Sequence, residues 1–162
     1  MYLKEYLEQF KDKKIKIFVD MDGVIADYDV GVPKDYDKKR PLYDSIDKLE
    51  IISKMSNVEL FILSITRYSI GIEQKNWWLD TYAPFFKKEN RVIISREEND
   101  MTVSPILKAE YLKNYERDGS VIILIDDDPR ILKQVQEINE DVFLLKDTVL
   151  VDDTARKLKE QI

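Results

Sequence analysis

Two aspartates one residue apart, Asp20 and Asp22, close an apolar run and are followed at once by a glycine in the stretch IFVDMDGVIAD over 17–27. A second apolar run, Val121 to Ile125, ends in three consecutive acids, Asp126, Asp127 and Asp128. Carboxylates gathered at the ends of buried segments repel one another and are costly to desolvate, so something must bring compensating positive charge. The candidates are a metal ion, a lysine or water. The chain contains no His and no Cys, which excludes histidine triads, thiolate nucleophiles, disulfides and nearly every zinc enzyme. The chemistry left is that of Asp, Glu, Lys, Arg, Ser, Thr and Tyr, and a bound metal would be a hard, oxygen-seeking cation such as Mg²⁺. An EF-hand loop is ruled out, because Val24 stands where a third oxygen ligand belongs and Ile25 where glycine is required.

Such residues need a scaffold that converges them. With 162 residues, 44% apolar and 36% charged, the chain can bury one full core, and 4 Gly and 5 Pro leave no obvious linker. The expected organisation is one domain over 1–162, with an amino-terminal helix in 1–13, a catalytic core over 15–145 and a carboxy-terminal segment over 146–162, amphipathic from Asp153. Leu3, Tyr6, Leu7 and Phe10 predict a short helix over 2–12, and Ile46, Leu49, Ile52 and Met55 a second one. Further helices are predicted over 71–82, around 105–115 and over 129–138. Between them, Ile15–Val19, VELFIL (58–63), RVIIS (91–95), VIILI (121–125) and Val142–Leu145 read as strands. VIILI does not alternate, as a strand buried on both faces need not. Strands separated by helical crossovers predict an α/β fold, a three-layer doubly wound parallel sheet with the first strand central and ligands at the carboxyl ends of the strands. That edge would collect Asp20, Asp22, Ser64, Asp126, Asp127 and Asp128, with Lys108 reaching it from the preceding helix. Asp128 is also the natural cap for a helix starting at Pro129.

With these motifs in place, the chain resembles the haloacid dehalogenase superfamily of phosphohydrolases. DMDGVIAD is similar to its DxDG(T/V) signature, ILS ending in Ser64 to its second motif, Lys108 in LKAEYL to its third and LIDDDPRIL to its fourth. The likeness covers about residues 15–145. It implies a phosphomonoester hydrolase with Asp20 as nucleophile through an aspartyl-phosphate intermediate, and Asp22 as general acid and base. It further implies Ser64 and Lys108 on the phosphate, Mg²⁺ held by Asp20, Asp126 and the backbone carbonyl of Asp22, and Asp127 positioning metal-bound water. Thr66 and Lys113 are rivals for the hydroxyl and the lysine. Arg67, just beyond Ser64, is a candidate substrate contact or a plain surface charge, and Trp77 and Trp78 read as packing.

The stretches where this superfamily carries caps, 28–42 and 96–104, are short, so the fold is expected to be nearly capless, with a crevice open to the end of a large molecule. DMDGVIADYD with EQKNWWLDTYAP resembles 5'(3')-deoxyribonucleotidase-like proteins. The layout REEND, LKAEYLKNY, LIDDDPRIL is similar to the 3'-phosphatase domain of polynucleotide kinases, though Asp128-Pro129-Arg130 departs from both groups. The expected substrate is accordingly a small phosphorylated molecule, a nucleotide first, with nucleic-acid ends as the alternative and Lys38, Lys39 and Arg40 as the cations that would track a strand. A net charge of −6 argues mildly against nonspecific nucleic-acid binding. A phosphoaccepting receiver-like signalling domain uses similar groups but places its lysine after its last strand. No apolar stretch reaches membrane-span length and MYLKEYLEQFKDKK does not read as a signal peptide, so a cytoplasmic protein without a membrane partner is expected.

Overall fold

The runs IFV and VIILI lack alternation because both of their faces are covered. A computed structural model describes residues 2–28 and 35–151; the segment from Asp153 lies outside the described residues. Its strands are β1 (Ile15–Val19), β2 (Val58–Thr66), β3 (Arg91–Ser95), β4 (Val121–Asp126) and β5 (Val142–Lys146). All pair in parallel in the order β3-β2-β1-β4-β5, so β1 is central and β4, buried along its whole length, adjoins it. The helices are α1 (Tyr2–Leu7, continued by a 3-10 turn over Glu8–Phe10), α2 (Tyr43–Ser53), α3 (Ile70–Tyr82), α4 (Ser104–Asn114) and α5 (Pro129–Ile138).

Side-chain alternation assigns each strand residue to a layer. Ile15, Ile17 and Val19 of β1, with Leu60, Ile62, Val121, Ile123 and Ile125, pack against Leu3 and Leu7 of α1, Ile46, Leu49 and Ile52 of α2, and Trp78 and Leu79 of α3. Phe18, Phe61, Leu63, Ile122 and Leu124 face the other way, onto Ala109 and Leu112 of α4 and Ile131 and Val135 of α5. The result is the expected three-layer, doubly wound α/β sheet.

Two local features differ from the sequence reading. β2 runs on to Thr66, three residues past VELFIL, because β3 offers it partners as far as Ser95. Ser64 therefore lies inside the strand instead of closing it. Of the adjacent tryptophans only Trp78 is buried; Trp77 is half exposed on the other side of α3. At the two places where a cap would sit, the described residues form only 3-10 turns, Tyr36–Lys38 and Glu97–Asn99. No helix among the described residues is long and apolar enough to cross a membrane.

Candidate active site

The register of the two central strands places the acids. Val19 pairs with Ile125, and the backbone N–H of Asp20 donates to the Ile125 carbonyl at 3.0 Å, so Asp20 stands beside Asp126 at the carboxyl edge. Both follow residues of the α4 layer by two positions, Phe18 and Leu124, and so point toward α4. Lys108 of α4 meets them there. Its ammonium donates to Asp20 Oδ1 at 2.8 Å and to Asp126 Oδ2 at 2.7 Å, and both it and Asp126 are almost wholly buried.

One lysine does not neutralise this group. Oxygens of Asp20, Asp126 and Asp127 lie within 4.8 Å of one another, three hard anionic donors that can hold a metal ion. Burial pushes the Asp20 carboxyl up to about 7, with the charges of Asp126 and Asp22 adding to the rise and Lys108 opposing it. Burial, then the charge of Asp126, also raises Asp127. Burial works to lower the Lys108 pKa, but Asp20 and Asp126 outweigh it and the ammonium is held above its ordinary value. A divalent cation would relieve what one ammonium leaves uncompensated, so the donor set suits Mg²⁺ in charge and hardness. Asp128 stands apart: its carboxylate caps α5, accepting from the Arg130 N–H at 2.9 Å, with Pro129 in the first turn.

Gly23 sets how closely the first turn approaches the acids. Its φ of +81° favours glycine, and a Cβ there would overlap the Asp127 carboxylate. Gly23→Ala is expected to destabilise the fold by about 1–3 kcal/mol and, by displacing Asp127, to weaken the affinity of the three-carboxylate group for a divalent cation. Urea unfolding and a magnesium titration read the two effects, and a variant matching the wild type in both would show that the turn relaxes freely.

Asp22 has different company. Its carboxylate accepts from Lys39, in the segment after the first turn, and from Lys75 of α3 at 3.3 Å. Burial works to raise the Asp22 pKa, but the two lysines outweigh it and hold the group below its ordinary value. Lys75, only 2% exposed, also donates to Ser64 Oγ at 2.6 Å and to the Ile65 carbonyl at 2.9 Å. Ser64 follows Ile62 on the α3 side, which is why a lysine of that layer reaches it. Its hydroxyl is fully buried and engaged by Lys75, whereas Thr66 donates to the Tyr68 carbonyl. Two buried lysines thus approach the acids from opposite layers, Lys108 from α4 and Lys75 from α3.

The three consecutive cations expected to track a strand point in different directions. Lys38 pairs with Asp35 and Arg40 with Asp27, both at the surface, while Lys39 alone turns inward. Its loop is pinned to α3 by the Trp78 indole N–H, which donates to the Lys39 carbonyl at 3.0 Å. Arg67 is exposed and lies over the Tyr68 ring, 5.4 Å from its centroid. Around these groups the crevice has two lobes, of about 710 Å³ on the Asp20, Asp127 and Lys108 side and about 420 Å³ on the Lys39, Arg67 and Lys75 side, with Asp22 and Ile65 shared.

No protein-family model matches the chain, and no curated protein matches it in sequence. Among solved structures it is similar to a chain of the Pnkp1/Rnl/Hen1 complex, with a TM-score of 0.66 and 16% identity over 83% of its length. It is also similar to one of the Pnkp1/Rnl/Hen1 RNA repair complex, with a TM-score of 0.63 and 18% identity over 83%. It spans less than half of those chains, 46% and 43%. At such identity the likeness is one of fold, the five-stranded parallel α/β sheet.

Proposed function

We propose that this chain is a divalent-cation-dependent phosphomonoester hydrolase in which Asp20 accepts the phosphoryl group. The observation that carries the reading is the convergence of Asp20, Asp126 and Asp127 on one buried lysine at the carboxyl edge of the central strands. A carboxylate nucleophile meets an anionic substrate only if positive charge lies between them. A cation such as Mg²⁺ held by Asp20, Asp126 and Asp127 would supply that charge. A free Asp20 oxygen then attacks phosphorus as the bond to the leaving oxygen breaks, giving an aspartyl phosphate, and water displaces the phosphate from it. Asp22, two residues on and beside the same lobe, is the proton carrier. Lys39 and Lys75 hold it ionised before substrate binds, and it is protonated to serve the leaving oxygen once the anionic substrate offsets their charge, after which it takes a proton from the water. Lys108 keeps Asp20 oriented and shares the charge of the transferred group.

For the substrate we favour a nucleotide or a nucleic-acid end. Support comes from the wide, capless crevice among the described residues, the nucleotidase-like and end-healing motifs, and the RNA repair complex to which a structural neighbour belongs.

The test is phosphate release, with Mg²⁺, from an aryl phosphate, nucleoside 3'- and 5'-monophosphates and a 3'-phosphorylated oligonucleotide. Wild-type protein is expected to turn over at least the nucleotide or oligonucleotide substrates. Asp22→Asn should lose about 10²-fold or more on the alkyl esters and less on the aryl ester, whose leaving group needs little protonation. Equal losses on both would remove the acid role from Asp22, and no release from any substrate would sink the reading.

A further inference from the structure

The two lobes of the crevice carry opposite charge. The larger sets four carboxylates, Asp20, Asp22, Asp127 and Asp128, against Arg96, Lys108 and Arg130, whereas the smaller sets three cations, Lys39, Arg67 and Lys75, against the single carboxylate of Asp22. The catalytic scheme above needs no such excess of positive charge there. Holding an ammonium as deeply buried as that of Lys75 is costly unless acceptors surround it, and its acceptors are one serine hydroxyl, one carbonyl and the carboxylate it shares with Lys39.

A second observation points the same way. Tyr36 lines this lobe and is 8% exposed, and its hydroxyl lies beside the Asp22 carboxylate without making a hydrogen bond of good geometry to it. That carboxylate is already held by Lys39 and Lys75, so the hydroxyl is poorly satisfied there and fits a site completed by a ligand's acceptor. The ligand is not an aromatic base stacked on that ring, because the Lys39 and Lys75 ammoniums already sit over it, each 4.9 Å from the centroid. Cations and a poorly satisfied hydroxyl donor together select an anion rich in acceptors.

We infer that the smaller lobe binds a second phosphate of the substrate, next to the lobe in which the first phosphate reacts at Asp20. Lys39, Arg67 and the Tyr36 hydroxyl are its donors, and Lys75 supplies charge from beneath. The inference rests on the phosphatase reading for its meaning, since it names the class of substrate: a nucleotide bearing two phosphates or a strand end with a neighbouring phosphodiester. Those two sources share one chemistry, and Tyr68 and Ile70, both exposed at the rim of the lobe, offer apolar surface to the sugar or base between the phosphates.

Binding to the Asp20→Asn protein with Mg²⁺ present, measured by calorimetry over a salt series, tests this. The ligands are thymidine 3'- and 5'-monophosphate, thymidine 3',5'-bisphosphate and a dinucleotide ending in one 3'-phosphate. Ligands with a second phosphate are expected to bind about tenfold tighter than either monophosphate, with a log–log salt slope steeper by about 0.7. Arg67→Ala and Lys39→Gln, each added to that protein, are expected to erase the difference. A dinucleotide that outranks the bisphosphate identifies a strand end, and the reverse identifies a free nucleotide; either supports the subsite. Equal affinity for one- and two-phosphate ligands, or a preference that survives both substitutions, overturns it. Because the readout is binding to a protein that cannot turn over, a wild type that released no phosphate would remove the catalytic reading and leave this comparison intact.

Discussion

Asp20→Asn is expected to abolish phosphate release, by at least about a thousandfold, and at the same time to make the metal-free protein more stable at pH 8. The first effect follows from removing the carboxylate proposed as the nucleophile, which Lys108 holds at the crevice together with Asp126. The second follows from linkage. Burial, aided by Asp126 and Asp22 and opposed by Lys108, lifts Asp20 to about 7 from an ordinary 3.8. The folded chain thus holds that proton more tightly than the unfolded chain does. The stability this confers is complete below the unfolded value and is lost as pH rises through about 7. Asn keeps an oxygen for the Lys108 ammonium without the charge, so it escapes that loss. At about 1.4 kcal/mol for each pH unit that separates the folded from the unfolded value, the advantage in chelator at pH 8 is on the order of a few kcal/mol, and it should shrink toward pH 4. Urea unfolding at the two pH values, beside a phosphate-release assay, reads both effects. A variant that retained turnover, or one less stable than wild type at pH 8 in chelator, would contradict the roles given to Asp20.

The same residues show what a sequence displays and what it hides. The strands were legible because β1 and β4 are covered on both faces and so read as unbroken apolar runs. Once those runs were paired in parallel, Asp20 and Asp126 had to share an edge. The three consecutive acids divided by position: Asp126 ends the buried strand, Asp127 turns into the crevice and Asp128 begins α5. Ser64 was harder to place, since the apolar run stops at Leu63 while the strand continues with a partner from β3. Lys75 was missed, though it left a trace. It sits among Gly71, Trp78 and Leu79 on the buried stripe of α3, where a lysine is out of place unless acceptors meet it. Tyr36 had no such trace, and Lys39 stood out only as one of three strand-tracking cations, because their place beside Asp22 depends on a loop pinned by Trp78 across the fold, a contact that local spacing does not record. The direction of consecutive side chains in that loop is equally tertiary, which is why Lys38 and Arg40 face outward while Lys39 does not.

Chelation is expected to silence the protein, and added Mg²⁺ to restore turnover and raise the melting temperature by an amount that grows between pH 5 and pH 8. The proposed ligands explain the slope. Asp20 and Asp127 are both held above their ordinary values by burial and by the charge of Asp126, so part of the group is protonated at the lower pH. Cation binding requires these oxygens to be deprotonated and releases their protons, so its apparent affinity rises with pH. Free cation at a hundred times its dissociation constant stabilises the folded state by about 2.7 kcal/mol, which for a chain of this size is about 5–10 °C. The sign is opposite to that of the metal-free protein, whose Asp20 contribution declines over the same interval. Differential scanning measurements with Mg²⁺ or with chelator at several pH values therefore diverge as pH rises. Asp127→Asn should keep the fold, because its carboxylate is only half buried, while reducing the gain in melting temperature at every pH. A gain that stayed flat with pH, or one equally large in both Asp126→Asn and Asp127→Asn, would place the cation elsewhere in the molecule.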